Sequence, residues 1–245
     1  MQIIFSNQFG CHSKSELILN YPELIDVAAS EHNQALGQGW LLTIKNNNEH
    51  WYQCRSTRTK LSDTNYSKLE NTVILNKPYP LAMLDKIYDK YCAHKHFKKY
   101  FEVGNFLDSD ILFGYYDEHI LTAWSKMRHY SKESIESVQF VWDYSNPMSH
   151  LGLSSLRHEL AWAKESGYEY FYMGAGYEKN SIYKSDIDGF EWWTGSAWSK
   201  DKDEYIYLCK RDSKISSCHQ IHSVLASLQH DRNICLLYTS DAADE

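Results

Sequence analysis

Apolar and polar positions along the first hundred residues predict a β-hairpin and a helix. The run GWLLTIKNNNEHWYQCRSTRTKL (residues 39–61) has two strand-like segments on either side of Asn46-Asn47-Asn48, a turn-forming triplet. Lys77-Pro78-Tyr79-Pro80 then interrupts the chain and is the predicted boundary. Residues 81–101 are predicted to form an amphipathic helix, because apolar side chains recur there at helical spacing. These side chains are Leu84, Ile87, Tyr88 and Tyr91.

The rest of the chain is predicted to form further strands and a second helix. Residues 151–166 have helical periodicity, which Gly167 ends, and Asn146-Pro147 breaks the chain before them. Strands are expected at residues 111–116, 120–127, 136–144, 168–173 and 204–209. This order predicts an α/β fold with a mixed, mostly antiparallel sheet and flanking helices, preceded by a small hairpin-containing subdomain.

Composition restricts the class of protein. The 245 residues suffice for one large domain or two small ones, and a content of 43% hydrophobic and 23% charged residues is ordinary for a soluble globular protein. Apolar runs fall far short of the ~20 residues that span a bilayer, and the first residues lack the regions of a signal peptide. Six scattered cysteines without a C-x-x-C pair indicate reduced thiols. We therefore expect a cytoplasmic protein with no membrane partner.

Charge is divided unevenly along the chain. Residues 1–100 contain 12 Lys and Arg against 9 Asp and Glu, a net +3, whereas residues 101–245 contain 13 against 23, a net −10. This balance argues against a general nucleic-acid binder, and no DNA partner is expected. The densest basic run either contacts RNA phosphates or forms a solvated helix face. It consists of His94, Lys95, His96, Lys98 and Lys99.

Metal binding is not predicted. Cys92, His94 and His96 superficially suggest a metal site, but residues at i, i+2 and i+4 do not share one face of a helix. Cys218, His219 and His222 lie close to the end of the chain and support no site either.

The end of the chain carries a foreign-looking string. CLLYTSDAADE (residues 235–245) resembles the translation of a common sequencing adapter. We therefore expect that these residues are an artefact, that the natural protein was cut near Ile234, and that a C-terminal helix over residues 213–234 is truncated.

Five short strings then suggest a family. They are VWDY (141–144), SHLGLSSL (149–156), YMGAGY (172–177), IYK (182–184) and GFEWWTG (189–195). In order and spacing they resemble the C-terminal domain of the arginyl-tRNA–protein transferase family, which has the acyltransferase-type fold of the GNAT superfamily. The resemblance covers residues 80–212. HWYQCRSTR (50–58) is similar to a cysteine-rich segment of that family, but it keeps Cys54 alone and lacks the paired cysteines that hold a metal or iron–sulfur cluster in many members.

The resemblance implies a domain organisation and a reaction. Residues 1–76 would be a small N-terminal subdomain and residues 77–212 a GNAT-like transferase domain. The implied activity is transfer of an amino acid from aminoacyl-tRNA to the N-terminal α-amine of a protein, which marks that protein for turnover. Aminoacyl-tRNA is then a co-substrate, and no bound cofactor is expected. Two alternatives remain open: an N-acetyltransferase that uses acetyl-coenzyme A, and a non-catalytic module that binds peptide N-termini.

The segment at residues 149–155 opens a helix directly after a strand. Free N–H groups and the positive end of the helix dipole make such a start an anion site. In acetyltransferases of this fold the same turn holds the coenzyme A pyrophosphate, with Arg or Gln, then Gly, then Gly or Ala. Ser149, Gly152 and Ser154 meet that pattern only in part, which favours the 3′ end of an RNA. Ser149 could instead be a simple N-cap.

Four residues are candidates for catalysis under this resemblance. Glu191 or Asp143 could take a proton from the acceptor amine, and Tyr183 could donate one to the leaving 3′-oxygen. Lys184 could stabilise developing negative charge or grip a carboxylate. Tyr183, Lys184 and Glu191 are expected in a loop region, where Lys184 and Glu191 could alternatively form an ordinary surface ion pair.

Aromatic side chains dominate residues 170–198, with nine rings and three of the eight tryptophans. They could stack on the terminal adenine, which contributes ~1–3 kcal/mol per base, or simply pack in the core. The candidates for binding the tRNA 3′ end are Trp142, Ser149, Gly152, Ser154, Ser155, Tyr172, Gly174, Tyr177, Trp192 and Trp193. Arg55 and Arg58 could hold an acidic N-terminal side chain of the acceptor peptide, or could be solvated strand ends.

Overall fold

The computed structural model describes residues 1–6, 21–45, 48–96, 99, 101–145, 151–177 and 179–213. Its strands and α-helices, in chain order, are β1 (Gln2–Ser6), β2 (Tyr21–Ile25), α1 (His32–Gly37), β3 (Trp40–Lys45), β4 (Asn48–Gln53), β5 (Ser56–Lys60), β6 (Thr72–Ile74), α2 (Leu81–Lys95), β7 (Asp110–Asp117), β8 (Ile120–His129), β9 (Ser134–Trp142), α3 (Leu151–Glu165), β10 (Tyr170–Ala175), β11 (Phe190–Trp193), β12 (Trp198–Ser199) and α4 (Lys202–Asp212). Within the described ranges, 3-10 helices span Ala29–Glu31, Leu61–Asp63 and Lys179–Asp186.

The chain divides into two compact units. One consists of Met1–Arg58 with Gly174–Glu245, and the other of Thr59–Met173. The division predicted from the sequence, at residues 76 and 212, remains a prediction. The expected C-terminal helix (residues 213–234) and the adapter-like string (residues 235–245) lie, apart from Ser213, outside the described residues.

The first unit contains a four-stranded antiparallel sheet in the order β1-β2-β4-β3. The predicted hairpin is confirmed, because β3 and β4 pair from Trp40 with Gln53 to Lys45 with Asn48. Asn46 and Asn47 of its turn lie outside the described residues. Leu42 and Trp51 pair across the two strands and lie on one face of this sheet, whereas Leu41 lies on the opposite face, and all three side chains are buried.

The remainder of the first unit includes three strands in the order β12-β11-β5 and the helix α4. The strand predicted at residues 204–209 is wrong, because this segment lies inside α4. Tyr205, Leu208 and Cys209 are buried at helical spacing. Tyr205, Tyr207 and Cys209 also fit an alternating pattern, and the N-cap decides between helix and strand: the Asp201 carboxylate accepts a hydrogen bond from the Glu204 backbone N–H.

The second unit contains five strands in the order β10-β9-β8-β7-β6. Only β9 and β10 are parallel; the other three pairings are antiparallel. Helix α2 packs on one face of this sheet, where its side chains surround Leu112 and Trp124. Helix α3 packs on the other face, where His158 and Trp162 contact the ring of Phe113. The predicted α/β class, with a mixed, mostly antiparallel sheet and flanking helices, is confirmed.

Helix α2 is shorter than the sequence predicts. It ends at Lys95, and His96 adopts a left-handed conformation (φ 58°) with its N–H bonded to the Cys92 carbonyl. A left-handed residue directly after the last turn is a common way to end a helix. The C-terminal end of α2 therefore turns away before Phe101, whose ring packs beside Tyr88 and Trp124.

Candidate functional site

The parallel strands β9 and β10 are paired over only part of their length. Ser134, Ile135 and Glu136 pair with Tyr170, Phe171 and Tyr172. Within the second unit, β9 continues beyond these pairs for six residues to Trp142, and β10 continues to Met173. Within the described residues of this unit the two strands are therefore no longer paired after Glu136 and Tyr172.

A β-bulge lies at the point where the strands part. Lys126 of β8 pairs with Gln139, but the next residue, Met127, pairs with Ser137, so that Val138 is an extra residue in β9. The bulge lets Ser137 and Phe140 face α3 together although they are three positions apart. Ser137 is hydrogen-bonded to the Glu159 side chain, and the Phe140 ring lies against Tyr115.

Helix α3 follows β9, and its first turn is open. Gly152 is exposed, and a Cβ placed on it would meet no atom within 4 Å. Ser155 is buried and donates a hydrogen bond to the Gly152 carbonyl at 2.9 Å, so its hydroxyl proton is used within the helix. Ser154 is half-buried. Ser149 lies outside the described residues, so the anion site predicted around it stays a prediction.

Trp142 is the last residue of β9, and Asp143 follows it directly. Trp142 is buried. Asp143 accepts hydrogen bonds from the Lys90 ammonium and from the Ser145 backbone N–H. Burial raises the pKa of the Asp143 carboxyl, but these hydrogen bonds outweigh it and leave the pKa below its ordinary value. Asp143 is therefore ionised at neutral pH and is a weak base.

In the first unit, Glu191 lies on strand β11 and is paired with Arg58 of β5. The loop predicted for Glu191 is wrong, because Phe190 to Trp193 form a buried strand, in which Trp192 and Trp193 pair with β12. Nε and Nη2 of Arg58 both lie 2.8 Å from Oε2 of Glu191. The Arg58 guanidinium also covers the ring of Trp198 at 4.0 Å. The sequence allowed two interpretations of Arg58, a solvated strand end and a receptor for a carboxylate ligand. Because Arg58 is paired with Glu191 of the same chain, neither interpretation describes this geometry.

Arg55 has a similar environment. Its Nη1 donates to the Asp212 carboxylate and, at 3.2 Å, to the Gly176 carbonyl, while its guanidinium lies 5.0 Å from the Tyr177 ring centre. Burial lowers the pKa of Arg55, but Asp212 more than compensates and the pKa is raised. A carboxylate ligand would have to compete with Asp212 for this side chain.

Tyr183 and Lys184 lie in the 3-10 helix Lys179–Asp186 and have opposite exposure. Lys184 is buried, and its Nζ donates to the Ala175 carbonyl at 2.7 Å, at the last residue of β10. Tyr183 is 47% exposed. Glu191 accepts its hydrogen bond from Arg58, and Lys184 donates to a backbone carbonyl. The two side chains therefore do not form the surface ion pair that was the alternative interpretation.

Most of the predicted aromatic binding residues are buried. Tyr172, Trp192 and Trp193 have 2%, 3% and 8% of their surface exposed, which fits the core-packing alternative better than a pocket rim. Trp193 lies directly on Gly39, where φ is +77° and a Cβ would come within 2.3 Å of the indole. Tyr177 is half-buried, and its hydroxyl accepts from the Arg55 backbone N–H.

Gly174 has a left-handed backbone and open space around it. Its φ is +72°, a conformation that glycine adopts without strain, and a Cβ there would meet nothing within 4 Å. The Gly174 carbonyl accepts a hydrogen bond from the Thr57 hydroxyl. The roles predicted for these residues in binding a tRNA end remain predictions.

The sequence interpretation missed a buried polar group on α3. Glu159 is 1% exposed, accepts a hydrogen bond from the Tyr115 hydroxyl at 3.2 Å, and is bonded to Ser125 and Ser137. Burial raises the pKa of Glu159 to about 7. A signal was present, because Glu159 lies beside Leu160 on the apolar stripe of the predicted helix.

His158, the neighbour of Glu159, is also buried. Burial lowers its pKa to about 4, and its Nδ1 accepts from the Leu69 backbone N–H at 2.8 Å. Asp212 and Trp198, which hold Arg55 and Arg58, were also missed, and the sequence carried no signal for either pairing.

The described part of the chain was also compared with the requirements of a metal site and of a membrane-spanning helix. Across the described ranges, no three or more His, Cys, Asp and Glu side chains gather in a way that would hold a metal ion. A helix of the length and apolarity needed to cross a bilayer is likewise not found in that part of the chain.

Comparisons with known proteins give structural neighbours only. No protein-family model matches the chain, and no curated protein matches it. Similar solved structures include L-PGS from Bacillus licheniformis (12% identity, TM-score 0.40, covering 75% of this chain and 64% of that one). A GCN5-related N-acetyltransferase from Kribbella flavida has 11% identity and a TM-score of 0.37 over 69% of this chain and 63% of that one.

A third neighbour is Saccharomyces cerevisiae N-myristoyltransferase with bound myristoyl-CoA, at 12% identity and a TM-score of 0.39, covering 56% of this chain and 46% of that one. The chain thus spans less than two thirds of each of these neighbours. Similarity at this level does not establish a common activity.

Proposed function

We propose that the chain is an acyltransferase that moves an amino acid from aminoacyl-tRNA to the N-terminal α-amine of a protein. The observation that carries the proposal is the parting of β9 and β10 after three residue pairs, with the open first turn of α3 following β9. Three of the strings that resemble the transferase family, VWDY, SHLGLSSL and YMGAGY, border these elements. A gap between parallel strands offers backbone groups to an extended acyl donor without a rearrangement of the sheet.

The chemistry makes modest demands on the protein. The α-amine nitrogen attacks the ester carbonyl, a C–N bond forms, the bond to the 3′-oxygen breaks, and one amine proton is released as the 3′-hydroxyl leaves. An α-amine has a pKa near ~7.7, so a substantial fraction is already neutral at pH 7. Since the ester is an activated acyl donor, catalysis consists mainly of positioning with one proton transfer.

Among the candidate residues, Tyr183 suits a direct role. It is the most exposed of the four, and its phenol can donate a hydrogen bond to the departing oxygen. Lys184 would act by holding the end of β10 through the Ala175 carbonyl. Glu191 would have to leave Arg58 to act as a base, and the lowered pKa of Asp143 makes that carboxylate better suited to binding the ammonium form of the acceptor.

One assay tests the proposal. The protein is incubated with labelled aminoacyl-tRNA pools, with labelled acetyl-coenzyme A, and with peptides that begin with Asp, Glu or Lys. Transfer of label from tRNA to the peptide supports the proposal. Transfer from the coenzyme alone establishes an N-acetyltransferase instead, and peptide binding without any transfer establishes a binding module.

A matched pair of tyrosine variants tests the assigned role. Tyr183→Phe should lower kcat at least tenfold, because the donor to the leaving oxygen is lost, while the thermal midpoint stays the same. Tyr207→Phe is the control, since Tyr207 is an exposed tyrosine of α4. Equal kcat values for the two variants would remove Tyr183 from the reaction.

A further inference from the structure

The end of β9 and the end of α2 meet in a stack of aromatic rings within the second unit. The rings of His94 and Tyr144 are nearly parallel, with centres 3.8 Å apart and an angle of 10° between their planes. The Trp142 ring lies 4.1 Å from Tyr144 on a tilted plane, and Tyr91 stacks at 5.9 Å. Trp142 is buried, Tyr144 is half-buried and His94 is exposed, so the stack runs from the core to the surface.

One cation belongs to this stack. The Lys95 ammonium lies 5.1 Å from the centre of the Tyr144 ring, and its side chain is exposed. Two nearby lysines are engaged elsewhere: Lys90 with Asp143, and Lys99 with Asp85 and Asp89. Within the basic run, Lys99 is therefore neutralised by carboxylates, as is Lys90 one turn earlier on α2. Lys95 and the imidazole of His94 are the groups that this end of α2 presents beside an aromatic face.

The stack lies at the functional end of the sheet. Tyr144 follows β9 directly, and β9 is the strand that parts from β10. The same stretch of chain leads from Tyr144 towards α3, which begins at Leu151. A ligand on the outer face of His94 would thus lie at the end of β9 from which the chain continues to the open first turn of α3.

We propose that His94 and Lys95, supported by Tyr144 and Trp142, form a stacking site for an unpaired nucleobase of an RNA strand. This proposal rests on the proposed function, for which the donor is an RNA with a single-stranded 3′ end. An exposed imidazole that already stacks on a phenol has its second face towards solvent, and π-faces of this kind bind any base. The adjacent ammonium suits the phosphate that accompanies the base.

The weak local charge distinguishes this site from an electrostatic groove. Because Lys90 and Lys99 are paired with aspartates, few counterions are released on binding, and the affinity should depend only weakly on salt. Stacking should supply most of the free energy, at ~1–3 kcal/mol per base. The sequence left two alternatives for this basic run, contact with RNA phosphates and a solvated helix face, and neither of them includes a stacked base.

The experiment measures binding of 5′-fluorescein-labelled ACCA RNA by fluorescence anisotropy, with quenching of tryptophan fluorescence as a second signal. His94→Ala should weaken binding by about 5- to 150-fold, the range that corresponds to the loss of one stacked base. Lys95→Ala should weaken it by a few-fold, and less so at high salt. Lys86→Ala is the control: it removes an exposed lysine from the same helix and should leave binding unchanged.

Three results would overturn the stacking site. The first is that His94→Ala binds the RNA as tightly as the wild type does. The second is that the wild-type protein does not bind the RNA. The third is that binding of unlabelled coenzyme A depends on His94 whereas binding of RNA does not. The last result would assign the stack to the adenine of a coenzyme.

The inference and the proposed function can fail separately. Transfer from aminoacyl-tRNA with an unchanged KM for tRNA in His94→Ala would overturn the stacking site and leave the function intact. His94-dependent RNA binding without transfer from any donor would support the stacking site and overturn the function.

Discussion

Two buried glutamates, one in each compact unit, have opposite kinds of partner. Glu191 is held by the guanidinium of Arg58, with two nitrogens at 2.8 Å from one carboxylate oxygen. Glu159 is surrounded by hydroxyl groups, and burial raises its pKa to about 7. The comparison teaches that two buried carboxyls can differ in what offsets the cost of desolvation. Glu191 has a permanent cation as its direct partner, whereas the neutral hydroxyls around Glu159 leave that cost uncompensated.

His158 extends this comparison in the opposite direction. Its pKa is lowered to about 4, so the folded protein keeps this imidazole neutral. Glu159 and His158 are adjacent in sequence, and both resist ionisation. The folded state therefore retains a proton on Glu159 that the unfolded chain releases, and lacks a proton on His158 that the unfolded chain binds.

The largest expected effect comes from breaking the Glu191 pair. Glu191→Leu should lower the free energy of unfolding by about 3–5 kcal/mol, because Arg58 is left buried without its carboxylate. Urea denaturation at pH 7 measures the change. The double variant Arg58→Met with Glu191→Leu should recover most of the loss. A single variant within ~1 kcal/mol of wild type would mean that the pair is exposed to water in solution.

Removing the proton of Glu159 should have the next largest effect. Its folded pKa of about 7 is above the ordinary 4.5, so Glu159 by itself lowers the free energy of unfolding as pH rises through this interval, by about 3 kcal/mol over 2.5 pKa units. Glu159→Gln should remove this contribution, so that the stability of the variant rises with pH between 4.5 and 6.5 because of His158. Denaturation curves from pH 4.5 to 8 measure it, and identical pH profiles for the variant and the wild type would contradict the raised pKa.

His158 should contribute a slope of opposite sign. Its folded pKa of about 4 is below the ordinary 6.5, so stability is full above pH 6.5 and is lost as pH falls towards 4. The two slopes oppose each other between pH 4.5 and 6.5, and the wild type should change little there. His158→Asn, which keeps an acceptor for the Leu69 N–H, should expose the fall due to Glu159, by about 2–3 kcal/mol. A wild-type free energy of unfolding that changes steeply between pH 4.5 and 6.5 would contradict the prediction that the two slopes cancel.

The smallest effect is expected for the second cation near Glu191. The Lys200 ammonium lies 3.9 Å from Oε1 of Glu191, and its side chain is 66% exposed. Lys200→Ala should change the free energy of unfolding by less than about 0.5 kcal/mol, because exposed ion pairs contribute little. A loss close to that of Glu191→Leu would show that Arg58 alone does not hold the carboxylate.

Local pattern predicted more of the second unit than of the first. The strands β7 and β8 and the helix α3 were predicted from sequence, since each has a clear period, whereas in the first unit the β3–β4 hairpin was predicted and α4 was not. Helix α4 was taken for a strand, because Tyr205, Tyr207 and Cys209 alternate, while Tyr205, Leu208 and Cys209 recur at helical spacing. The N-cap at Asp201 was the signal that could have decided it.

The candidate site was less predictable for a physical reason. Arg58 and Glu191 are 133 positions apart, and Arg55 and Asp212 are 157 apart. A single sequence indicates that a residue is charged, but only the fold determines which opposite charge it meets. The two arginines were therefore assigned to a ligand when their partners are carboxylates of the same chain. The anomaly of Glu159 on an apolar stripe was visible and was overlooked.

The extra residue in β9 makes this strand more tolerant of a deletion than of an insertion. Removing Val138 would place Ser137 and Phe140 two positions apart, so both would still face α3 and Val141 would stay in the apolar cluster beneath α2. Adding a residue next to Val138 would instead shift the alternation of the residues that follow, turning Phe140 away from α3 and Val141 out of that cluster. Among natural variants of this protein, loss of the codon for residue 138 should be tolerated, and gain of a codon beside it should not.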